Sequence, residues 1–408
     1  MTSRSPIDWR PSTLKSVIDL ISGQHIEVGD CNADGHGIPY LTGPSDFENG
    51  EIKSSKFTEV PKVCCKAGDI LLTVKGSGTG STAIANADYC ISRQLMAVRP
   101  KHADPAFIRF VLESHAETYN NISAGLIPGI ARDDVLNTRI GVPPLVEQQK
   151  IGQLLTMWAE AVDKAKRLIA AKQQQNKDLT NRLLFGHARS RQRNTKNTRA
   201  LHWFSAPSDW QIVEISKVAR EVSALNGRDD GLPVLSCTKY DGLVDSLKYF
   251  DKQVFSHDTS KYKVVRHGQF VYATNHIEEG SIGYQNLVPV GLVSPIYTVF
   301  QADAKTIDDG YFYKLLKTEK LRQIFAANTN ASVDRRGSLR WKEFARIHIP
   351  LPPLDEQREI SAVLDDSKRE IALLHAEVEA LKTQKRGLMQ KLITGQWRVT
   401  VPAPKEVV

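Results

Sequence analysis

The sequence PPLVEQ at residues 143–148 returns as PPLDEQ at residues 352–357, and this repeated hexapeptide, the Pro-Pro box, decides how the chain is organised. A Pro-Pro pair disfavours helix in the residues before it. The glutamate of each box, Glu147 or Glu356, places a negative charge at the positive end of a helix dipole. Each box therefore predicts the beginning of a helix, and its recurrence predicts that one architecture is built twice.

Two further sequences repeat on the N-terminal side of each box, in the same order. PIDW at residues 6–9 returns as PSDW at 207–210, and GDILL at 68–72 returns more loosely as GQFVY at 268–272. The second copy holds about nine additional residues between GQFVY and its box. The preserved order predicts two globular bodies of the same plan whose sequences have diverged.

Apolar residues recur at alternating steps of four and three after each box, which is the heptad pattern of a coiled coil. The first seam consists of Ile151, Leu155, Trp158, Val162, Ala165, Ile169, Leu179 and Leu183, and the second of Ile360, Leu364, Ile371, Leu374, Val378, Leu381, Leu388 and Leu392. About 36 residues at 1.5 Å each make a helix of roughly 54 Å, for which Gly186 and Gly395 are suitable C-terminal caps. Lys172 and Asn176 interrupt the first seam, where a buried polar position can set helix register.

These patterns predict an α+β fold in which two mixed α/β globular domains are separated by a pair of long antiparallel coiled-coil helices, related by a pseudo-two-fold axis. One seam alone is also compatible with an amphipathic helix that packs on its own domain. Because a helix this long outreaches a domain of about 150 residues, the other seam is the favoured partner. The predicted segments are globular domain 1 at 1–146, spacer helix 1 at 147–186, a basic link at 187–202, globular domain 2 at 203–354, spacer helix 2 at 355–395 and a tail at 396–408.

The composition is that of a globular protein, with 41% hydrophobic and 25% charged residues among 408. There is no apolar run long enough to cross a bilayer and no apolar signal core at the N-terminus, so we expect a cytoplasmic protein without membrane contact. Five cysteines without metal-site spacing predict reduced packing thiols. The net charge of +8 lies mainly in spacer helix 1 and the basic link, so it does not identify a binding surface on either globular domain.

The basic link is the most strongly charged segment, and its sequence contains no acid. Its cations are Arg189, Arg191, Arg193, Lys196 and Arg199. Such a run predicts a solvated tether, with a phosphate or partner contact as the alternative.

Catalytic motifs are absent or incomplete in the sequence. It has neither the GxxxxGK[ST] phosphate loop nor the HExxH zinc motif. The Pro-Pro pairs lack the preceding acid or amide and the following aromatic ring of an amino-methyltransferase loop. Asp46 with Glu51 and Lys53 has the outline of a metal-dependent nuclease site, and this autonomous nuclease is the first alternative function. A coiled-coil scaffold that does not recognise DNA is the second.

Basic, aromatic and amide residues of the kind that contact nucleic acid occur in both copies. The best candidates are Arg335, Arg336 and Arg340 in the second copy, because Arg can fork onto guanine or phosphate. Other candidates are Lys75, Ser77, Thr79, Arg93 and Arg132 in the first copy, and Lys239, Tyr240, Lys261, Tyr262, Lys263, Asn275 and His276 in the second.

Taken together, the chain resembles the DNA-specificity subunit of a Type I restriction-modification system. The resemblance covers nearly the whole chain and rests on the repeated Pro-Pro box, the helix endings LLFG at 183–186 and LITG at 392–395, and a divergent domain before each box. It implies a non-catalytic subunit with two target-recognition domains, each of which reads one half of a bipartite, asymmetric DNA site in a host-defence system.

The same resemblance implies partners and cofactors. The paired helices would act as a spacer, for which about 54 Å corresponds to roughly 16 base pairs at 3.4 Å each, and as a dock for two modification subunits. Those methyltransferase subunits would bind S-adenosylmethionine and methylate adenine in double-stranded DNA. Restriction subunits would use ATP and Mg2+ for translocation and cleavage. No cofactor or metal is expected on this chain.

Overall fold

A computed structural model gives the structure of the chain in two compact units. Residues Met1–Ile169 and Leu374–Val408 form the first unit, and Ala170–Leu373 form the second. Each unit contains one globular head and a part of each of two long helices. The structure describes residues 9–48, 51–76, 78–123, 129–189, 198–227, 231–329 and 338–400.

The first head is a set of short strands followed by three short helices. Its strands are β1 (Arg10–Thr13), β2 (Ile18–Ser22), β3 (Ile38–Leu41), β4 (Phe47–Glu48), β5 (Glu51–Ile52), β6 (Phe57–Thr58), β7 (Cys64–Cys65), β8 (Ile70–Thr73), β9 (Thr82–Ile84), β10 (Tyr89–Ile91), β11 (Leu95–Pro100) and β12 (Arg139–Val142). Its helices are α1 (Pro105–Ser114), α2 (Ala116–Ser123) and α3 (Arg132–Leu136), and the long helix α4 (Leu145–Leu184) follows β12. The sheets have the orders β2-β11-β8-β9, β6-β3-β10-β7, β1-β12 and β4-β5.

The second head repeats this arrangement. Its strands are β13 (Thr198–Ala200), β14 (Ser205–Pro207), β15 (Gln211–Glu214), β16 (Ala219–Glu221), β17 (Leu235–Thr238), β18 (Gly242–Asp245), β19 (Lys263–Arg266), β20 (Phe270–Ala273), β21 (Ile282–Tyr284), β22 (Val290–Val293), β23 (Tyr297–Ala302) and β24 (His348–Leu351). Its helices are α5 (Ser246–Phe250), α6 (Asp309–Leu316), α7 (Glu319–Asn328) and α8 (Trp341–Phe344), followed by the long helix α9 (Leu354–Ile393). The sheet orders are β16-β23-β20-β21, β15-β24, β17-β18, β19-β22 and β13-β14.

The central four-stranded sheet is the most closely repeated element. The order β2-β11-β8-β9 of the first head corresponds to β16-β23-β20-β21 of the second. Along β8, Ile70 and Leu72 enter the core cluster that contains α1, while Leu71 enters a second cluster on the opposite face. Phe270, Val271 and Tyr272 alternate in the same way along β20. Burial on both faces explains why these strands are continuously apolar, and the shared order confirms the predicted internal repeat.

The long helices run antiparallel within each unit. In the first unit, Ile151 and Leu155 near the beginning of α4 lie in the same core cluster as Leu392 near the end of α9. Farther along, Val162 and Ile169 of α4 pack against Val378 of α9. In the second unit, Leu183 near the end of α4 lies in the same core cluster as Ile360 near the beginning of α9. These contacts pair the beginning of each helix with the end of the other, which confirms the predicted antiparallel pair.

Burial along the helices follows the heptad seam. Buried seam residues are Ile151, Leu155, Val162, Ile169, Leu183, Ile360, Leu364, Val378 and Leu392; half-buried ones are Trp158, Ala165, Leu179, Ile371, Leu374, Leu381 and Leu388. Apolar residues outside the seam, such as Met157 and Leu373, are exposed.

The polar seam positions have different surroundings in the two units. In the second unit Lys172 Nζ lies 2.8 Å from Glu370 Oε1, and Asn176 is half-buried. In the first unit Lys385 Nζ lies 3.1 Å from Glu113 Oε2 and 5.1 Å from the ring centroid of Phe110. Each lysine therefore has an acidic partner at the edge of the helix pair.

The cysteines differ in burial, and this predicts which of them react. Desolvation raises the pKa of all three thiols, that of Cys65 to about 11 and that of Cys237 to about 12, but Cys64 is exposed to reagents whereas Cys65 and Cys237 are buried. Because the thiolate is the nucleophile, we expect iodoacetamide at about pH 8 to label Cys64 in the native protein and to leave Cys65 and Cys237 unmodified until urea unfolds it. Mass spectrometry of tryptic peptides measures this difference. Native labelling of Cys237 as fast as that of Cys64 would contradict it.

Within the described ranges, every helix is too short or too polar to cross a bilayer.

Candidate nucleic-acid interface

The buried glutamate of each Pro-Pro box forms an ion pair with an arginine that follows the other long helix. In the first unit, Arg398 donates to Glu147 through Nε (2.7 Å to Oε1) and Nη2 (2.8 Å to Oε2). Trp9 Nε1 donates to Glu147 Oε2 at 3.2 Å, and the Arg398 guanidinium lies 5.9 Å from the Trp9 ring centroid. We call this Trp-Glu-Arg group a clasp. It ties the beginning of the head and the end of α9 to the first turn of α4.

The second unit contains the same clasp, more deeply buried. Arg189 donates to Glu356 through Nε (2.9 Å to Oε1) and Nη2 (2.8 Å to Oε2), and Trp210 Nε1 donates to Glu356 Oε2 at 3.3 Å. Arg189 also donates through Nη1 to Asp209 Oδ1 at 2.9 Å. These charged hydrogen bonds raise the pKa of the Arg189 guanidinium.

The environment of Arg189 differs from the solvated tether predicted for the basic link. The sequence favoured a solvated tether, with phosphate contact as the alternative, but the Arg189 side chain is only 3% exposed and is occupied by two carboxylates. Arg189 therefore holds the fold and is not available to DNA. The signal that could have revealed this is its spacing, because Arg189 and Arg398 each lie three residues after a helix-ending glycine, Gly186 or Gly395.

The glutamine of each box fixes the head to its own helix. Gln357 donates through Nε2 to the carbonyls of Pro352 (2.8 Å) and Thr306 (3.1 Å), and its Oε1 accepts from Asp308 N at 2.8 Å. Asp308 in turn caps α6 by accepting from Tyr311 N at 2.9 Å. In the first unit, Gln148 makes the corresponding bonds to Pro143 O (2.9 Å) and from Asp104 N (2.9 Å).

On the first head, three segments meet at a point that we call the loop junction. They are the connection after β8, the turn between β10 and β11, and the residues just before α3. Val74 N donates to Gln94 O at 2.8 Å, and Ile130 N donates to Val74 O at 2.8 Å. Lys75 and Arg93 are exposed on this junction.

The second head has a loop junction built in the same way. Thr274 accepts through its carbonyl from Leu339 N at 2.8 Å and donates through Oγ1 to Ile296 O at 2.8 Å. Its chemistry is different, because the connection after β20 carries His276, Glu278 and Glu279 with side-chain ligand atoms within 4.8 Å of one another. One backbone framework therefore presents Lys75 and Arg93 on the first head, whereas on the second head an acidic and histidine cluster lies on the same framework as Arg340.

The residues predicted to contact DNA fall into three groups. Exposed and free to face a ligand are Lys75, Arg93 and Arg340, together with Lys239 and Tyr240 at the turn between β17 and β18. Tyr240 is 80% exposed, and the Lys239 ammonium lies 5.2 Å from its ring centroid. Also exposed are Lys261 and His276, while Asn275 is half-buried. Ser77, Arg335 and Arg336 lie outside the described residues.

Four further predicted residues make hydrogen bonds to the backbone of their own head. Thr79 is buried and donates to Gly76 O at 2.7 Å, which closes the turn after β8. Arg132 donates to Leu20 O at 2.6 Å. The other two are Tyr262, whose buried hydroxyl accepts from Ser256 N, and Lys263, which donates to Tyr297 O. These hydrogen bonds give each residue a structural role, and DNA contact by these four residues stays a prediction.

Asp46, the first residue of the alternative nuclease site, is a buried turn cap. Its Oδ2 accepts from Thr42 N (2.6 Å), Thr42 Oγ1 (2.9 Å) and Gly43 N (3.2 Å). Because Asp46 is buried and its Oδ2 already accepts three hydrogen bonds, that oxygen is not open to a catalytic metal. This geometry weakens the nuclease alternative.

Comparison with known protein families finds the same repeat, because one family model matches the chain twice. Residues 6–175 and 207–383 match the family model described as the Type I restriction modification DNA specificity domain. Similar curated proteins are two from Methanocaldococcus jannaschii. The putative type I restriction enzyme MjaX specificity subunit is 25% identical over 198 residues, 46% of each chain, and the type I restriction enzyme MjaVIII specificity subunit is 29% identical over 210 residues, 49% of this chain and 45% of that protein. Each match spans about half the length of these relatives.

Solved structures show the same fold along nearly the whole chain. The S subunit of a Type I restriction-modification system from M. genitalium is 16% identical with a TM-score of 0.53, covering 96% of this chain and 98% of that one. The HsdS subunit from Thermoanaerobacter tengcongensis is 19% identical with a TM-score of 0.53, covering 97% and 99%. A chain from a structure of type I R-M system assembly is 18% identical with a TM-score of 0.61, covering 97% and 100%.

Proposed function

Because this chain belongs to the Type I restriction-modification DNA specificity family, we propose that its two heads read the two halves of a bipartite, asymmetric DNA site. The observation that carries the proposal is the loop junction, which is built twice on one framework with different side chains. Lys75 and Arg93 stand on the first junction, where His276 and Glu279 stand on the second. Because base edges are distinguished by their donors and acceptors, two such surfaces favour different half-sites.

The long helices support a gap between the half-sites. Each has 40 residues, which at 1.5 Å per residue is about 60 Å, equivalent to roughly 18 base pairs. The clasps and the box glutamines hold each head firmly to a helix end, so a head would keep its orientation when it binds. The helices thus limit the spacing that the site can have.

In this proposal the chain supplies recognition and other subunits supply chemistry. Two methyltransferase subunits would bind S-adenosylmethionine and methylate adenine in the recognised DNA. Restriction subunits, where present, would use ATP and Mg2+. Family membership is the support for these partners, and the occupied carboxylate of Asp46 is a reason to prefer them over an autonomous nuclease.

The test is to express the chain with its methyltransferase subunit and to map adenine methylation across a genome. We expect a gapped, asymmetric motif. Exchanging residues 1–146 for the corresponding domain of another specificity subunit should change one half of the motif, and exchanging 203–354 should change the other. An ungapped motif, or one that neither exchange alters, would refute the proposal. Cleavage by the purified chain with Mg2+ alone, abolished by Glu51→Ala, would instead support the nuclease.

A further inference from the structure

A cavity of about 460 Å³ opens beside the loop junction of the first head, beneath the turn between β10 and β11. Tyr40 and Ile26 contribute apolar surface to it. Polar side chains at this cavity include those of His25, Asn32, Lys56, Arg93 and Gln94. An apolar floor with a polar and cationic rim suits a hydrogen-bonding ligand that carries negative charge nearby, as do the base edges and phosphates that line the major groove of DNA.

The turn that carries Arg93 is held firmly. Ser92 is buried; its Oγ donates to Thr42 O at 2.6 Å and accepts from Gln94 N at 3.2 Å. Leu95 N closes the turn by donating to Ser92 O at 2.9 Å. The backbone beneath Arg93 is therefore fixed before any ligand arrives, as a specific binding site requires.

Arg93 differs from three other arginines of the same head. Arg99 is paired with Asp69, Arg109 with Glu113, and Arg132 with the carbonyl of Leu20. Arg93 is exposed, and in the described part of the chain its guanidinium has neither an acidic nor a carbonyl partner. A guanidinium fork presents paired donors, and O6 and N7 of guanine present the matching pair of acceptors in the major groove.

The amide of Gln94, the next residue after Arg93, lies close over Gly43. A Cβ added at Gly43 would lie 2.3 Å from Gln94 Oε1. A side chain at position 43 would therefore push the amide away from the cavity rim. Gly43 acts here as a positioning residue for Gln94.

The second head has no equivalent donor at this turn. Pro295 and Ile296 occupy the positions that follow Ser294, as Arg93 and Gln94 follow Ser92 before the next strand. Ile296 is 56% exposed, and an apolar side chain can contact a thymine methyl but cannot bond to guanine. The arginine is thus a property of the first head alone.

We propose that this cavity rim is the base-reading site of the first head and that Arg93 determines its specificity by recognising a guanine. The inference rests on the proposed function, since it assigns a base to a head that reads DNA. It predicts that the half-site read by the first head contains a guanine whose recognition depends on one side chain.

The experiment compares Arg93→Ala and Arg93→Lys with wild type in the complex with the methyltransferase subunit. The readout is methylation of a DNA library randomised across the motif found for the wild-type complex. A good bidentate contact distinguishes bases by about 10- to 100-fold. We expect both variants to lose that preference at one guanine of the first half-site and to retain the second half and the gap. Lysine keeps the charge but lacks the fork, so its failure to rescue separates base reading from phosphate contact.

Arg10→Ala is the matched control, because Arg10 is an exposed arginine of the same head on β1, away from the cavity. It should leave the motif unchanged. If Arg93→Ala keeps the wild-type motif, or weakens methylation equally for all sequences, the inference is wrong while the proposed function stands. If the wild-type complex gives no gapped motif, the proposed function itself fails.

Discussion

Replacing Glu356 by alanine is expected to lower the free energy of unfolding of the second unit by about 3–5 kcal/mol, the usual cost of removing one partner of a buried ion pair. Glu356 is fully buried, and it accepts both arms of Arg189 and the indole N–H of Trp210. Alanine would leave two of the Arg189 donors buried without that carboxylate. Urea unfolding measures the change, and hydrogen exchange in the first turn of α9 localises it.

Glu147→Ala is the matched variant, because the two clasps have the same chemistry and different burial. Arg398 is 41% exposed in the first unit, so water can replace the lost carboxylate there. We expect a smaller loss, about 1–3 kcal/mol, with faster exchange in the first turn of α4. Equal losses in the two units, or a larger loss for Glu147→Ala, would show that burial of the arginine does not set the strength of the clasp.

The repeat and the long helices could be predicted because their signals are local or periodic. The heptad seam places a contact every three or four residues, so residues such as Val162 and Val378 are marked by spacing alone. The heads gave a weaker signal, since their strands have two to six residues and several are buried on both faces. The order β2-β11-β8-β9 joins strands far apart in the chain, and no pattern in the sequence encodes it.

The sequence does not predict the clasps either, because their residues lie far apart in the chain. Trp9 and Glu147 were each noticed as repeated residues, but they lie 138 positions apart, and only the fold brings them together. The internal hydrogen bonds of Thr79 and Arg132 could not be predicted either, because residue type does not show whether a polar group bonds to the backbone. The sequence alone does not distinguish Arg93 from the other candidates. The structure does, because Arg93 lies at the rim of a cavity and its guanidinium has no acidic or carbonyl partner among the described residues.

Gln357→Leu is expected to be nearly as damaging as loss of the clasp, at about 2–5 kcal/mol, because each buried backbone group left unsatisfied costs about 1–3 kcal/mol. Leucine has a similar volume but cannot bond to Pro352 O, Thr306 O or Asp308 N. Gln357→Glu should also destabilise, since a carboxylate cannot donate to the two carbonyls. Thermal and urea unfolding of both variants measure the loss.

Variants of the two box glutamines also distinguish an effect on stability from an effect on DNA recognition. Gln148→Leu removes two such bonds from the first unit, so its stability loss should be smaller than that of Gln357→Leu. Each glutamine holds one head to its own helix. Each variant should therefore weaken the base preference in the half-site read by its own head and leave the base preference in the other half-site unchanged. If Gln357→Leu instead abolishes both halves of the motif together at a temperature where the protein stays folded, the heads do not act as independent readers, and the box has a role beyond fixing one head.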